Sequence, residues 1–140
     1  MTYLEALQAV MAAEHAAVYA YGVVGARLNG TPYEGAAAAG YNAHRARRAA
    51  ISLLVTRAGA QPTPAAVAYQ LGSPVTTSTQ ARALAAQVER RLEAVYVQLV
   101  GAAPADARRA PAAWLADAAV RTAAWSGHVD DFPGLDTSTS

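Results

Sequence analysis

Five charged or titratable side chains have the types and spacing that could form a chemical centre inside a helical protein. Glu14, His44 and Glu89 lie on or beside the apolar faces of three successive predicted helices, and Arg121 lies on the face of a fourth. Arg48 follows His44 by one helical turn. An unpaired charge in a core costs several kcal/mol. We therefore expect these groups to meet and to satisfy one another, with either Arg48 or Arg121 pointing inward.

One chemistry open to this cluster is metal binding. Di-metal carboxylate bundles use a Glu from each of two helices and a Glu-x-x-His motif from each of the other two. Here Tyr41, not Glu, stands three residues before His44, and the fourth helix has no such motif. Only part of the ligand set is therefore present. We expect no metal, and any iron or manganese that does bind would be held by Glu14, His44 and Glu89.

Two other interpretations use the same residues. In the first, Arg121 or Arg48 replaces the metal charge, binds the two carboxylates through bidentate pairs, and forms a buried structural network with His44. In the second, the inward charges orient a small polar ligand of unknown identity in a pocket between the helices. That pocket would be lined by Tyr21, Tyr41, Trp114 and Trp125.

The motifs of common enzyme classes are missing from the sequence. It contains no Gly-x-Ser-x-Gly, no P-loop, no Gly-x-Gly-x-x-Gly after a strand and no His-Glu-x-x-His. No nucleophile is accompanied by a base. The sequence therefore favours a protein that is not an enzyme.

Capping and stop signals delimit the four helices that must position these residues. The first follows Thr2, which forms a capping box with Glu5, and runs to about Leu28 before Asn29 and Gly30. The second is predicted from a Thr31 N-cap, with Pro32 at the first helical position and Glu34 closing a capping box, to near Gly59. The third is predicted to start after Thr77, Ser78 or Thr79 and to end near Gly101. The fourth has a short turn after Pro104, a break, and a helix over about 111–127.

The connection between the second and third predicted helices is long, and the other two are short. Residues 60–77 contain three prolines and a glycine, and so do not form one regular element. About eighteen residues reach roughly 60 Å when extended, which exceeds the roughly 37 Å length of a 25-residue helix. This layout predicts an all-α four-helix bundle with a long crossover between helices 2 and 3, as in ferritin-like bundles. We expect a helical turn within 65–71, with Tyr69 and Leu71 against the bundle.

The domain prediction is one bundle over residues 1–128 and a C-terminal tail over 129–140, in which residues 132–135 are able to dock on the bundle. Alanine occupies 38 of the 140 positions, which favours helices over strands. The exposed alanines at 36–39 would allow close approach of another helix, so we expect a homodimer.

Composition also excludes several partners. There is no cysteine, which rules out disulfides and thiolate metal sites. The formal net charge of +1 gives no general attraction to nucleic acid. No run of 18 apolar residues and no signal-peptide layout is present, so we expect no membrane partner and a cytoplasmic location.

Four segments of the sequence resemble an alanine-rich actinobacterial family of unknown function in the ferritin-like superfamily: AEHAAVYAYG at 13–22, AHRARR at 43–48, AVRTAAW at 119–125 and FPGL at 132–135. The resemblance covers nearly the whole chain in the same order. It implies a ferritin-like four-helix bundle, cytoplasmic and without an established activity. The departures from the di-metal ligand pattern argue against oxidase or iron-storage activity. We therefore expect a degenerate, non-catalytic ferritin-like protein.

Overall fold

The computed structural model describes residues 1–128 and 131–135, and the regular structure in this part of the chain is entirely helical. The four α-helices are α1 (Tyr3–Leu28), α2 (Glu34–Arg57), α3 (Ser78–Ala102) and α4 (Arg109–Ser126). A short 3-10 turn at Ala105–Ala107 precedes α4. The predicted all-α class with four helices is confirmed.

Capping boxes begin α1, as predicted, and also α3, for which only the start after Thr77, Ser78 or Thr79 was predicted. The Thr2 hydroxyl accepts the amide of Glu5, and the Glu5 carboxylate accepts the amide of Thr2. At α3, Thr77 and Gln80 form the same reciprocal pair. Each box satisfies amides that the first helical turn leaves without partners.

The predicted start of α2 at Thr31 is wrong. The Thr31 hydroxyl donates to the carbonyl of Leu28 and accepts the amide of Tyr33, so it closes the turn after α1. The Glu34 carboxylate accepts the amide of Gly30, which has a φ of 76°. Because these side chains serve the turn, the helix begins only at Glu34.

The fourth helix begins at Arg109, two residues before its predicted start. Pro111 therefore lies inside its first turn, where its missing N–H would have no helical partner. The predicted end is confirmed, because Gly127 adopts a left-handed φ of 72° and its amide bonds the carbonyl of Ala123.

The helices pack as a bundle in which α1 contacts both α2 and α3, and α3 also contacts α4. Closely packed pairs are α1 with α2, α1 with α3, and α3 with α4, whereas the backbones of α2 and α4 approach much less closely. The interior is filled by residues from all four helices; the largest buried apolar side chains are Tyr21, Tyr96, Leu7, Leu28, Ile51, Leu92 and Leu99.

The crossover between α2 and α3 is extended, so the helical turn predicted within 65–71 is wrong. Contacts with α1 hold the crossover in place of helical hydrogen bonds. Gln8 donates to the carbonyl of Gln61 and accepts the amide of Thr63, and His15 Nε2 bonds the carbonyl of Thr63 at 2.9 Å. Further along, Leu71 packs against the core, and the ring of Tyr69 lies 5.5 Å from that of Tyr19 on α1.

The residues after α4 turn back toward α3. At Gly134, with a φ of 79°, an added Cβ would lie 2.5 Å from the carbonyl oxygen of Glu93. The division of the chain at residue 128 stays a prediction, since residues 129–130 and 136–140 lie outside the described part. None of the described helices combines the length and apolarity needed to cross a membrane.

Candidate functional site

A histidine lies between two glutamates at the centre of the bundle. His44 Nδ1 is 2.8 Å from Glu14 Oε2, and His44 Nε2 is 2.8 Å from Glu89 Oε1. All three side chains are 0% exposed. The triad joins α1, α2 and α3, so three of the residues singled out in the sequence meet in the structure.

Two tyrosines extend the triad on either side. Tyr21 donates its hydroxyl to Glu89 Oε1 at 2.6 Å, and Tyr96 donates its hydroxyl to Glu14 Oε1. Trp125 Nε1 donates to the Tyr21 hydroxyl at 3.0 Å, which brings in α4. Burial and the neighbouring carboxylates raise the pKa of both tyrosines, so both remain neutral phenols.

Arg47 connects the triad to the protein surface. Its guanidinium donates to the Tyr96 hydroxyl at 3.0 Å and to Asp117 Oδ2 at 2.9 Å. It also lies over the rings of Tyr96 and Trp114. Burial opposes ionisation of Asp117, but hydrogen bonds from Arg47 and Arg121 prevail and lower its pKa. We call the connected set the buried network: Asp117, Arg47, Tyr96, Glu14, His44, Glu89, Tyr21 and Trp125.

The His44 ring, between the two carboxylates, is positively charged. Burial by itself would lower the pKa of His44, but the hydrogen bonds and charges of Glu14 and Glu89 raise it to about 9. A carboxylate oxygen accepts hydrogen bonds and has no proton to donate. Each ring nitrogen must therefore donate, and His44 is an imidazolium.

A further carboxylate, Glu93, is also buried, at 1% exposure. It accepts the hydroxyl of Thr122 from α4. Sequence reasoning missed Glu93, although it follows Glu89 by four residues and so lies on the same helical face.

One oxygen in the triad, Glu89 Oε2, is buried and has no hydrogen-bond partner among the described residues.

The two arginines proposed for the centre lie elsewhere. Arg121 Nε bonds Asp117 Oδ2 at 3.1 Å on the same helix, and neither Arg121 nor Arg48 hydrogen-bonds to Glu14 or Glu89 within the described chain. Arg48 is half-buried and borders a shallow surface groove. The predicted pairing of Arg48 or Arg121 with the carboxylates is wrong, because His44 provides the cation.

The buried arginine is Arg47, at 8% exposure. Arg47 and Arg48 follow His44 by three and four residues, so helical periodicity places both near its face and does not distinguish Arg47 from the predicted Arg48. The inward face of α2 is formed by Ala37, Gly40, His44, Arg47, Ile51 and Val55.

The aromatic side chains proposed for a ligand pocket are distributed over different places. Tyr41 is half-buried under the guanidinium of Arg45 and, with Tyr21, borders an outer groove between α1 and α2. Trp114 borders a cavity at the end of the bundle, and Trp125 is buried against Tyr21. The structure therefore does not place these residues around one pocket.

The residues at the centre do not fit a di-metal site. Both nitrogens of His44 are committed to carboxylates, and α4 contributes Thr122 and Trp125 rather than a carboxylate–histidine pair. In residues 1–128 and 131–135, no group of three or more histidine, aspartate or glutamate side chains is arranged to hold a metal ion.

Comparisons with known proteins show the family of this chain and a similar solved structure. The family described as a domain of unknown function, DUF4439, matches residues 6–137. The crystal structure of a conserved hypothetical protein, rv2844, from Mycobacterium tuberculosis is similar, with a TM-score of 0.83 and 30% sequence identity over 88% of this chain and 93% of that chain. No curated protein matches the chain. The chain thus belongs to the DUF4439 family.

Proposed function

We propose that this protein is a non-catalytic ferritin-like bundle in which protonated His44 replaces the metal charge between two carboxylates. The layout of two short connections and one long crossover supports this, because ferritin-like bundles join two helical hairpins in the same way. The two glutamates and the histidine are donor types that such bundles use for metals. In this protein the two glutamates and the histidine bond to one another instead.

The single observation that carries the proposal is the double hydrogen bond of His44. Each imidazole nitrogen is 2.8 Å from a carboxylate oxygen, and those carboxylates also accept the hydroxyls of Tyr21 and Tyr96. An imidazolium in this position supplies positive charge and has no lone pair for a metal. The centre is fully buried, so it offers no reacting group to a substrate.

The network's contribution is to fix how the helices meet. It connects α1, α2 and α3 through the triad, and α4 through Trp125 and Asp117. Buried polar groups of this kind specify register and pairing, because a shifted helix would leave charges without partners. The proposed role is therefore that of a stable scaffold whose biological contacts lie on its outer surfaces.

The test combines nitrogen NMR of the imidazole with elemental analysis. At pH 7 we expect both ring nitrogens of His44 to carry protons, with a His44→Gln variant used to assign the signals. Protein grown with iron, manganese and zinc should contain no stoichiometric metal. Near-stoichiometric metal that disappears in Glu14→Ala would overturn the proposal and favour an iron or manganese site at Glu14, His44 and Glu89.

We also propose that the protein is a cytoplasmic homodimer. Ala36, Ala38 and Ala39 are exposed on α2 and would let a helix of a second copy approach closely. Light scattering during size-exclusion chromatography should give twice the mass of 14.4 kDa. Ala38→Glu should give the monomer mass, while Ala49→Glu, at another exposed position of α2, should not.

A further inference from the structure

A second feature, separate from the buried network, is an apolar cavity beneath the crossover. It has a volume of about 240 Å³ and lies between α1, α3 and residues 69–71. Four alanines of α1 and three apolar residues of α3 form most of its walls: Ala13, Ala16, Ala17, Ala20, Leu84, Val88 and Leu92. The short alanine side chains leave a space that larger residues would fill.

The crossover closes the third side of the cavity and is anchored there. The rings of Tyr19 and Tyr69 are 5.5 Å apart, and the Tyr69 hydroxyl accepts the amide of Ala66 at 2.9 Å. Leu71 packs against the core beside them. The cavity is thus bounded by two rigid helices and a pinned extended segment, which is the kind of concave, largely apolar site that binds small molecules.

The charge around the cavity has one sign. Arg91, exposed on α3, is the charged residue of the lining, and no carboxylate lies among the described residues that form the walls. Arg91 makes no ion pair with another described residue. Its guanidinium has a planar set of donors that matches a carboxylate. The exposed amide side chain of Gln70 and the hydroxyl of Tyr69 are the other polar side-chain groups at the lining.

Water is a poor occupant of the inner part of this space. A buried water needs two to four polar partners, whereas the walls contributed by α1 are methyl groups. An empty apolar cavity is costly because its walls lose packing contacts. An apolar group from a ligand would make packing contacts with the walls that neither water nor an empty cavity provides.

We propose that this cavity binds a small monocarboxylate, whose apolar body lies between α1 and α3 and whose carboxylate pairs with Arg91. The volume is slightly below that of pockets for drug-sized molecules, which begin at about 300 Å³. The ligand is therefore of the size of a medium-chain fatty acid or a small aryl acid. The residues that line the cavity are not members of the buried network, so this proposal and the proposed scaffold role stand or fall separately.

The experiment is a calorimetric titration of the full chain with octanoate, compared with octanol and octylamine. Octanoate should bind with one site per chain, and octanol and octylamine at least tenfold more weakly. Arg91→Gln should weaken octanoate binding at least tenfold, whereas Arg57→Gln, the same charge change on α2, should leave it within twofold. Equal affinity for octanol and octanoate, or unchanged binding by Arg91→Gln, would overturn the carboxylate assignment.

The position of the ligand is tested by filling the cavity. Ala16→Leu should abolish octanoate binding while circular dichroism and the unfolding midpoint show an intact bundle. Ala46→Leu, at an exposed position on α2, is the matched control and should bind normally. Octanoate binding that survives in a folded Ala16→Leu variant, or a lack of binding by the unmodified protein, would refute the cavity as the site.

Discussion

The most consequential residue is His44, because it places a positive charge between two buried carboxylates. Glu14 and Glu89 are both 0% exposed and would repel each other without it. Their geometry gives each carboxylate one imidazolium donor and one tyrosine donor. Removing one partner from such a group lowers the free energy of unfolding by more than the intact group contributes to it, since the remaining charge stays buried without its partner.

We predict that His44→Gln lowers the free energy of unfolding by roughly 3–5 kcal/mol, because two carboxylates lose their cation. Urea denaturation followed by circular dichroism measures the change. Adding Glu14→Gln and Glu89→Gln to the same chain should recover part of the loss. A His44→Gln variant as stable as the unmodified protein would mean that the imidazole is neutral.

The matched comparison is Arg121→Ala, for which we predict a loss of about 1 kcal/mol or less. Arg121 is 22% exposed and pairs with Asp117, whose side chain is 38% exposed. Such partly solvated pairs on one helix contribute little. The same denaturation measurement applies, and a loss as large as that of His44→Gln would show that Arg121 belongs to the centre after all.

At the scale of the helices, the close approach of α1 and α2 depends on a missing side chain. A Cβ added at Gly40 would lie 2.3 Å from the ring of Tyr21, which leaves no room for it. Tyr21 in turn bonds Glu89 and Trp125. The glycine in α2 therefore allows a tyrosine from α1 to reach α3 and α4.

We predict that Gly40→Ala destabilises the protein by about 1–3 kcal/mol, since displacement of Tyr21 outweighs the gain in helix propensity. Gly22→Ala is the control: Gly22 is exposed in the middle of α1, and an added Cβ has nothing within 4 Å. That variant should gain about 0.5–1 kcal/mol. Thermal unfolding of both variants decides the matter, and a stabilised Gly40→Ala would contradict the account of Tyr21.

The crossover is held to α1 by a few side chains, above all Gln8. We predict that Gln8→Ala accelerates hydrogen exchange at the Thr63 amide, which loses its acceptor. Amides in the middle of α1 should keep their protection. The exposed Gln98 on α3 provides the control, and Gln98→Ala should leave the Thr63 amide unchanged. Equal exchange of that amide in the unmodified protein and in Gln8→Ala would show that another contact holds the segment.

At the scale of the whole molecule, the buried network connects the two neighbouring helices that pack least closely, α2 and α4. The backbones of α2 and α4 approach much less closely than the other neighbouring pairs. Arg47 reaches across this gap to Asp117, and Tyr33 lies 6.5 Å from Trp125 between ring centroids. Long side chains therefore connect the two helices where their backbones do not pack closely. Because the network joins all four helices, the protonation of His44 is linked to the stability of the whole fold.

This linkage predicts a pH dependence. The pKa of His44 is about 9 in the folded protein and about 6.5 in an unfolded chain. Between these values the folded state holds a proton that the unfolded state has released, so the free energy of unfolding falls as pH rises. The contribution is complete below about pH 6.5 and is lost by about pH 9, in total roughly 3 kcal/mol. Urea denaturation across this range measures it, and His44→Gln should flatten the slope; an equal slope in that variant would contradict the assignment.

Local chemistry allowed the sequence by itself to determine the helices and several of their boundaries. The capping box at Thr2, the left-handed Gly30, the end of the fourth helix near Gly127 and the length of the 60–77 segment depend on neighbouring residues or on chain reach. The inward positions of Glu14, His44 and Glu89 also followed from helical periodicity. These features do not require knowledge of which helix faces which.

Only the tertiary structure decided how the inward groups pair. Positions 47 and 48 are both near the face of His44, and Arg47 is selected because Tyr96 and Asp117 lie opposite it on α3 and α4. The extended course of residues 65–71 likewise depends on contacts with α1 that are distant in sequence. Partner choice is a property of packing, because a buried charge is stabilised by whichever group the neighbouring helices bring to it.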